Sequence, residues 1–451
     1  MTTLQRTKIA PGRPPLVSGK QPLVGHLPEF LLAPERVLWR GQRQHGNIFQ
    51  LAVPGADVVV LLGKRNSEFF FKETDKRLSI ADAYPFFTRM FGSEFYFMGS
   101  VEQWKKQRDV VLPRFQGGQI ADYIQVMDQE AARFVESLGD RGEFNLTEEF
   151  GVLVMRIAAH AFLGPAIADD LVAGDFFEEF RKFSMGMSFF LPDWLPVPRT
   201  VKSNRARDRL RQSLGEMIQQ RRRAPIDPPD FLQHLVESVY ADGTRVPDNV
   251  LVNFVLMFCW AGHETTTGHL SWALADLIEH PSELRRVRAE AEHLLAADQV
   301  DLSGVRGMRF TYDCLHETER LHPVAYILAR QAQEELDIDG YTIPRGAFVF
   351  TSPAISHRLR ETYPEATETY WPDRYSQPGG RSARGSLIGF GAGAHRCLGT
   401  HFAYLEMQII VARLVAEFEL ELVHGMPKPM SGAGTTKWPA NPCAVRYRRR
   451  S

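Results

Sequence analysis

The sequence has 451 residues, of which 44% are hydrophobic and 24% charged, and a formal net charge of −1 at pH 7. This balance is typical of a globular protein with a large core, and it excludes a general attraction to nucleic acid or to an anionic membrane. The four cysteines lie far apart, without the spacings of zinc sites or of a disulfide framework. A reducing, cytoplasmic location is therefore expected. The first ten residues and the rest of the sequence hold no apolar run that predicts a signal peptide or a transmembrane anchor, so we expect a soluble chain.

In chain order, residues 1–28 form a Pro-rich lead-in that is expected to lie on the surface. A helix is predicted over residues 34–44, followed by strands over 48–53 and 58–62 with a turn at Pro54-Gly55. From about Ser67 the pattern is mostly helical, with short strands at 327–332, 336–344, 347–352 and 418–423. The sequence contains no internal repeat and no low-complexity linker. It therefore predicts a single, mainly α domain with small β-sheets over residues 1–451.

Two apolar segments have more than one interpretation. The segment 84–98 carries seven aromatic residues without a clean period: Tyr84, Phe86, Phe87, Phe91, Phe95, Tyr96 and Phe97. Such a cluster indicates either core packing or a loop that lines an apolar pocket. The second segment, 189–198, contains three prolines among large apolar residues. It indicates a loop over a cavity, a loop against a membrane surface, or a plain connection between helices.

Trp104 and Arg108 are spaced to share one face of a helix. An indole N–H and a guanidinium on the same face suit the carboxylate of a ligand. A solvated surface arginine is the alternative.

A long helix is predicted from Asp248, as its N-cap, to about Glu279. Its first half is apolar nearly all round, which predicts that it crosses the middle of the core. The segment 261–266 nevertheless contains Glu264 and two threonines. Buried polar groups are costly without a partner, so this segment indicates either a functional site or a satisfied polar cluster at a helix kink.

Glu317 and Arg320 are spaced to pair on one helix face, and Arg374 follows further along the chain. Cys397 then lies in a glycine-rich turn, directly before an amphipathic segment from about 400 to 419. Residues 389–394 also fit the dinucleotide-binding pattern G-x-G-x-x-A. Because the following helix is predicted to begin only after Cys397, this turn is too long for the usual pyrophosphate site, and a nicotinamide-dependent enzyme is the disfavoured alternative.

Taken in this order, the motifs resemble those of the cytochrome P-450 family, the haem-thiolate monooxygenases. The family's haem-binding loop, Phe-x-x-Gly-x-x-x-Cys-x-Gly, is matched by Phe390, Gly393, Cys397 and Gly399. Three further motifs match in the family's order: the Trp-x-x-x-Arg haem contact at Trp104 and Arg108, the oxygen-activating helix motif at 261–266, and the Glu-x-x-Arg pair at Glu317 and Arg320 with Arg374 as the third member. The resemblance covers essentially the whole chain. It implies the cytochrome P-450 fold, in which a long central helix crosses the core and haem lies between that helix and the cysteine loop.

The resemblance also implies roles for individual residues. Cys397 is implied as the axial thiolate ligand of a haem b iron, and Glu264 and Thr265 as the groups that deliver protons on the opposite side. The implied haem contacts are Trp104, Arg108, Arg330, His395, Phe390, Gly391, Gly399 and Ala261. The implied reaction inserts one oxygen atom of O2 into a C–H bond. Its electrons are expected from a separate ferredoxin and ferredoxin reductase, since the sequence has no reductase domain, and Arg108, Arg114 and Arg396 are candidate docking residues. A haem-thiolate isomerase or peroxygenase that does not use O2 is the alternative of a different class.

Within the family the sequence is similar to the sterol 14-alpha-demethylase branch and related bacterial enzymes, at 83–92, 352–356 and 444–450. It departs from that branch at Arg89, where proline is usual, at Met98, and at Glu264, which replaces His or Gln. We therefore expect a bacterial hydroxylase of a terpenoid or other polycyclic lipophile, acting in natural-product biosynthesis, with sterol 14-alpha-demethylation as the alternative. The expected substrate pocket includes the 183–197 loop and the residues Tyr84, Phe86, Phe87, Phe91, Phe97 and Cys259.

Overall fold

The computed structural model describes residues 12–95, 98–115, 119–164, 176–184, 197–430 and 436–450. Among these residues the α-helices are α1 (Leu27–Leu32), α2 (Pro34–His45), α3 (Gly63–Glu73), α4 (Phe86–Phe91), α5 (Val101–Val111), α6 (Gln119–Leu138), α7 (Leu146–Leu163), α8 (Phe176–Ser184), α9 (Pro198–Arg223), α10 (Phe231–Glu237), α11 (Asp248–Glu279), α12 (Pro281–Leu295), α13 (Leu302–Gly307), α14 (Arg309–Leu321), α15 (Pro353–Ser356), α16 (Gly380–Gly385) and α17 (Thr400–Glu417). The strands are β1 (Ile48–Val53), β2 (Ala56–Leu61), β3 (Leu78–Ser79), β4 (Arg141–Asn145), β5 (Leu328–Ala332), β6 (Leu336–Ile338), β7 (Tyr341–Ile343), β8 (Phe348–Thr351), β9 (Phe418–Leu422) and β10 (Ala444–Arg449). The predicted class, mainly α with small sheets, is confirmed.

The chain forms two compact units. The described part of the first unit comprises residues 12–84 and 327–364. It contains a five-stranded sheet in the order β1-β2-β8-β5-β3, in which only β2 and β8 pair in parallel. A separate β6-β7 hairpin turns at Asp339 and Gly340, both of which adopt positive φ. Apolar side chains cover the sheet, with Phe49, Val60, Phe70 and Val349 fully buried, so this unit has its own core.

The described part of the second unit comprises residues 85–326, 365–430 and 436–450. Its centre is α11, which packs against α7, α9, α14 and α17. A three-stranded antiparallel sheet, in the order β4-β10-β9, joins the end of the chain to this helical unit. The prediction of one domain over the whole chain remains a prediction.

The helix α11 has 32 residues and ends at Glu279, as predicted. Both of its halves are buried, which explains why its sequence lacks a polar face. The Trp438 ring packs closely against α11 at Gly268. A Cβ atom on this residue would come within 2.7 Å of the ring, so the absence of a side chain permits the contact. The predicted N-cap at Asp248 is wrong. Pro247 is the N-cap, because the Asp248 carboxylate is bound by the guanidinium of Arg222, whose Nη2 lies 2.6 Å away.

Across the described ranges, no helix combines the length and the apolar character needed to span a lipid bilayer.

Candidate active site

The loop from Phe390 to Gly399 holds Cys397 just before α17 begins. Gly391 and Gly393 adopt φ of 68° and 67°, a left-handed conformation that favours glycine. The Cys397 N–H donates to the Phe390 carbonyl at 2.9 Å and closes the loop. The Thr400 hydroxyl donates to the Cys397 carbonyl at 2.8 Å. These bonds fix the thiol at the N-terminal end of α17.

The Cys397 side chain is accessible at the loop, although protein surrounds it closely enough that desolvation raises its pKa. The Gly399 N–H, the Thr400 hydroxyl and the positive charge of Arg396 act in the opposite direction. The sulfur is accessible enough to reach a ligand beside the loop. Desolvation favours its protonated form, and the two donors and the arginine charge act against this by favouring the thiolate.

Three of the sequence-predicted haem contacts lie together in the second unit. The Trp104 and His395 rings are 4.3 Å apart between centroids, and the Arg108 guanidinium lies 5.4 Å from the centre of the Trp104 ring. A capping box formed by Ser100 and Gln103 begins the helix α5 that carries Trp104 and Arg108. One group of side chains therefore presents a cation and ring N–H groups next to the cysteine loop.

Glu317, Arg320 and Arg374 also come together, and their side chains are almost completely buried. The Glu317 carboxylate binds Arg320 at 2.8 and 3.0 Å and Arg374 at 2.9 and 3.0 Å. It also accepts the Trp371 N–H at 2.9 Å. Backbone carbonyls accept further hydrogen bonds from the guanidiniums. The Thr367 carbonyl, for example, accepts one from Arg320 at 2.6 Å. This is a buried ion-pair network of the kind in which every charge has partners.

The centre of α11 is open, whereas its two halves are buried. Thr265 is exposed, and the next two residues, Thr266 and Thr267, are buried again. The Thr265 hydroxyl donates to the Ala261 carbonyl at 2.6 Å. A Cβ atom on Gly262 would meet no other atom within 4 Å. The middle of this core helix is therefore accessible at Gly262 and Thr265, while the Thr265 hydroxyl is bonded to the helix backbone.

Glu264 has partners that sequence reasoning missed. Burial raises the pKa of its carboxyl to about 7, while the charge of Arg199 and a hydrogen bond with Ser184 act to lower it. Ser184 is the last residue of α8, and Arg199 is the second residue of α9. Because these residues lie more than sixty positions before Glu264, no helical spacing could have indicated the contact.

The predicted pocket aromatics form a packed cluster. Phe91 and Phe95 stack at 4.5 Å between ring centroids, and Phe91 also contacts Phe183 of α8 at 6.0 Å. Trp260 of α11 touches this cluster through Phe87 and Phe91, at 5.8 and 5.9 Å. Trp260 gives no signal of its own in the sequence, since it is one more apolar residue of a buried helix.

The other predicted pocket residues have different surroundings. Phe86 is buried beside Phe87, with ring centroids 4.6 Å apart. Cys259 is fully buried, and burial raises the pKa of its thiol to about 12. Phe97 and residues 185–196 lie outside the described residues.

Arg330 and Tyr84 belong to the first unit. The Arg330 guanidinium lies 4.8 Å from the centre of the Phe70 ring, its Nε donates to the Thr74 hydroxyl at 3.1 Å, and burial lowers its pKa. The Tyr84 hydroxyl accepts the Ala329 N–H at 2.9 Å, and burial raises its pKa. Both side chains have firm partners within the β-sheet unit.

The residues of the second unit fit a haem. A haem needs a protein ligand for its iron, for which a cysteine thiolate is suited, and Cys397 offers an accessible sulfur on a loop shaped by glycines. Trp104, His395 and Arg108 offer donors for carboxylates, and the open centre of α11 leaves space beside a helix that is otherwise in the core. Within the described ranges no cluster of three or more His, Cys, Asp or Glu side chains could bind a bare metal ion.

Comparison with known proteins gives the same result. The cytochrome P-450 family model matches residues 14–442. A sterol 14alpha-demethylase of Mycolicibacterium vanbaalenii is 31% identical over 97% of this chain and 98% of that relative. A sterol 14-demethylase of Arabidopsis thaliana is 29% identical over 97% of this chain and 91% of that relative.

Among solved structures, the retinoic acid-bound cyanobacterial CYP120A1 superposes with a TM-score of 0.86 at 24% identity, covering 98% of this chain and all of that one. This likeness concerns the fold. The family match over nearly the whole chain, together with a cysteine loop and a helix centre that fit haem, shows that the chain belongs to the cytochrome P-450 family and is a haem-dependent monooxygenase.

Proposed function

We propose that this monooxygenase hydroxylates a bulky lipophilic substrate, a terpenoid or another polycyclic hydrocarbon skeleton. In this proposal Cys397 would supply the thiolate that binds the iron of a haem b, and Glu264 and Thr265 would supply protons to the reaction. The single observation that carries the proposal is the open centre of α11, where the exposed Thr265 follows Glu264, whose carboxyl has a pKa of about 7.

Haem in this family, when bound, supplies the activation of O2, and the thiolate ligand favours O–O cleavage. The protein has to hold the cofactor. Trp104, Arg108 and His395 would bind its propionates. The loop residues Phe390, Gly391 and Gly399 would contact the face on the Cys397 side, and Ala261 would contact the opposite face.

Glu264 and Thr265 are suited to proton transfer for a physical reason. A carboxyl with a pKa of about 7 is divided between its two protonation states at neutral pH, so it can both release and regain a proton. The Thr265 hydroxyl donates its own hydrogen to the Ala261 carbonyl, which leaves its oxygen lone pairs able to accept a hydrogen bond from water or substrate. Ser184 of α8 is hydrogen-bonded to the Glu264 carboxyl, and the positive charge of Arg199 on α9 acts on it.

The nature of the substrate is inferred from the cluster of Phe87, Phe91, Phe95, Phe183 and Trp260 on the N-terminal side of Ala261. Among the described residues, the Trp260 indole N–H is buried without a hydrogen-bond partner. A rigid apolar skeleton would pack against these rings, and a single oxygen function on it could accept the hydrogen bond of Trp260.

Electrons would come from a separate ferredoxin. Arg396 is exposed beside Cys397. Burial lowers the pKa of His401, and the positive charges of Arg396 and Arg306 lower it further. Positive charge on this side, with Arg108 and Arg114, would attract an acidic protein.

Sterol 14-demethylation is the second candidate. It is favoured by the sterol demethylases that are 29–31% identical over almost the whole chain. The acid at Glu264, with its own partners on α8 and α9, is the feature that favours ordinary hydroxylation instead.

A spectral titration of the haem-loaded enzyme separates the two candidates. We expect the substrate-type shift of the Soret band with polycyclic terpenes and no saturable shift with lanosterol-like sterols. Tight binding of the sterols without binding of the terpenes would overturn the hydroxylase proposal in favour of the demethylase. The Trp260→Phe variant keeps an aromatic ring but loses the indole N–H and some apolar surface, so it should weaken the binding of an oxygenated terpene more than that of its hydrocarbon parent.

A further inference from the structure

Glu319 is a second buried acid beside the cysteine loop, and its contacts differ from those of Glu317. Its side chain is 5% exposed. One carboxylate oxygen accepts the Gly389 N–H at 3.0 Å, and the other accepts the Tyr404 hydroxyl at 2.6 Å. The Phe390 N–H is a further donor to this carboxylate. Among the described residues no lysine or arginine side chain is hydrogen-bonded to it.

These contacts join three elements. Glu319 lies on α14, Tyr404 on α17, and Gly389 and Phe390 form the first limb of the loop that ends in Cys397. The Phe390 carbonyl in turn accepts the Cys397 N–H at 2.9 Å. The carboxylate therefore fixes the backbone to which the cysteine itself is bonded.

The surrounding packing leaves the Glu319 carboxylate little freedom. The Tyr404 ring stacks on His316 with centroids 4.4 Å apart and lies 5.3 Å from the Phe390 ring. A Cβ atom on residue 389 would come within 2.7 Å of a Glu319 oxygen, so glycine is needed at 389 for the loop to approach this closely. Gly389 therefore contributes to the contact in two ways. Its N–H donates to the Glu319 carboxylate, and its lack of a side chain lets the loop come close to that carboxylate.

We propose that Glu319 is a positioning residue for the Cys397 loop, acting through the Gly389 and Phe390 amides independently of the Glu317 ion-pair network. Its task is to keep the first limb of the loop at the distance from α14 and α17 at which the sulfur of Cys397 meets the iron. The inference rests on the proposed ligand role of Cys397, but the contact itself can be measured without substrate or turnover.

The test is hydrogen exchange of the loop amides in the haem-loaded enzyme, followed by mass spectrometry. We expect Glu319→Leu to speed exchange in the peptide that holds Gly389 and Phe390 by about ten-fold or more, because it leaves buried N–H groups without an acceptor. Exchange in α11 should stay as it is in the wild type. The red-shifted ferrous–CO band of the thiolate complex should also convert faster to the blue-shifted form.

Two substitutions sharpen this test. Glu319→Gln keeps an oxygen for the Gly389 N–H and offers an N–H group to the Tyr404 oxygen, so it should restore slow exchange. Thr318→Val is the matched control, since the Thr318 hydroxyl is buried on the same helix turn but donates to Asp276 at 2.7 Å and not to the loop. It should leave loop exchange unchanged.

Wild-type loop exchange in Glu319→Leu, or equal acceleration in the loop and in α11, would overturn the proposal. If Glu319→Leu does not fold, Gly389→Ala is used instead, because its methyl group pushes against the same oxygen. It should give the same local acceleration, and its absence would likewise count against the proposal. If instead Cys397 were not the thiolate ligand, the Cys397→Ala variant would keep the red-shifted ferrous–CO band. The two failures are therefore distinguishable.

Discussion

The network around Glu317 and the centre of α11 each contain a buried glutamate, and the two carboxylates have opposite surroundings. Glu317 is held between the guanidiniums of Arg320 and Arg374. Glu264 has a hydroxyl from Ser184 and the less direct charge of Arg199, and burial outweighs both, so that its pKa rises to about 7. A carboxylate bound by two guanidiniums ties the structure together, whereas a carboxyl dominated by desolvation can exchange a proton near neutral pH.

This difference predicts that removing Glu317 has the largest effect. Glu317→Ala leaves two buried guanidiniums without their carboxylate, which costs about 3–5 kcal/mol. Since a folded domain is stable by only about 5–15 kcal/mol, we expect little folded haem protein. Urea unfolding of whatever folds, monitored by circular dichroism, measures the loss.

The matched control is Asp373→Ala, which breaks the pair with Arg286 at 2.8 and 2.9 Å. That pair lies beside the network but is partly exposed, and it should contribute less than about 1 kcal/mol. Equal destabilisation by both variants would show that the Glu317 network is not the structural anchor.

At the centre of α11, substitution should spare the fold and change the reaction. Thr265→Ala removes the exposed hydroxyl but no buried packing, so we expect folding and substrate binding as in the wild type. Product formed per O2 consumed should fall by about ten-fold or more, since positioned proton donors contribute on that scale or above, and the missing oxygen should appear as peroxide. Thr265→Ser, which keeps the hydroxyl, should restore most of the product, and unchanged coupling in Thr265→Ala would contradict the proposed role.

Glu264 should give a smaller, pH-dependent effect. Its pKa is raised from the ordinary carboxyl range to about 7, so the fraction that carries a proton falls as the pH rises through about 7. If the protonated carboxyl supplies the proton, product formed per O2 should decline over the same range. Glu264→Gln cannot titrate, and its coupling should be lower and flat across this range. A Glu264→Gln profile with the wild-type pH dependence would assign the titration to another group.

Much of this arrangement could be predicted from the sequence, because local rules governed it. The bounds of α11 and the glycine-rich loop before α17 follow from apolar patterning and turn chemistry, which depend on neighbours along the chain. The pairing of Glu317 with Arg320 follows from helical spacing. The chemistry of Cys397 came from the family resemblance and not from spacing.

What could not be predicted depends on contacts between distant segments. The Asp248 side chain fits an N-cap by local rules, but Arg222 of α9 binds its carboxylate instead. The interactions of Glu264 with Ser184 and Arg199, and the contacts of Glu319 with Gly389 and Tyr404, join helices and loops that are more than sixty residues apart in the sequence. Within Glu-Thr-Glu-Arg at 317–320 all four side chains are buried, although no helical pattern distinguishes the acid that binds cations from the one that binds the loop.

The central claim is that Cys397 provides the thiolate on which the haem chemistry depends, and the ferrous–CO spectrum tests it most directly. The wild type, reduced and treated with CO, is predicted to show the red-shifted Soret band of a thiolate-ligated haem. Cys397→Ala is predicted to lose that band, while Cys443→Ala, which removes a buried cysteine elsewhere in the second unit, should keep it. A red-shifted band in Cys397→Ala would contradict the assignment.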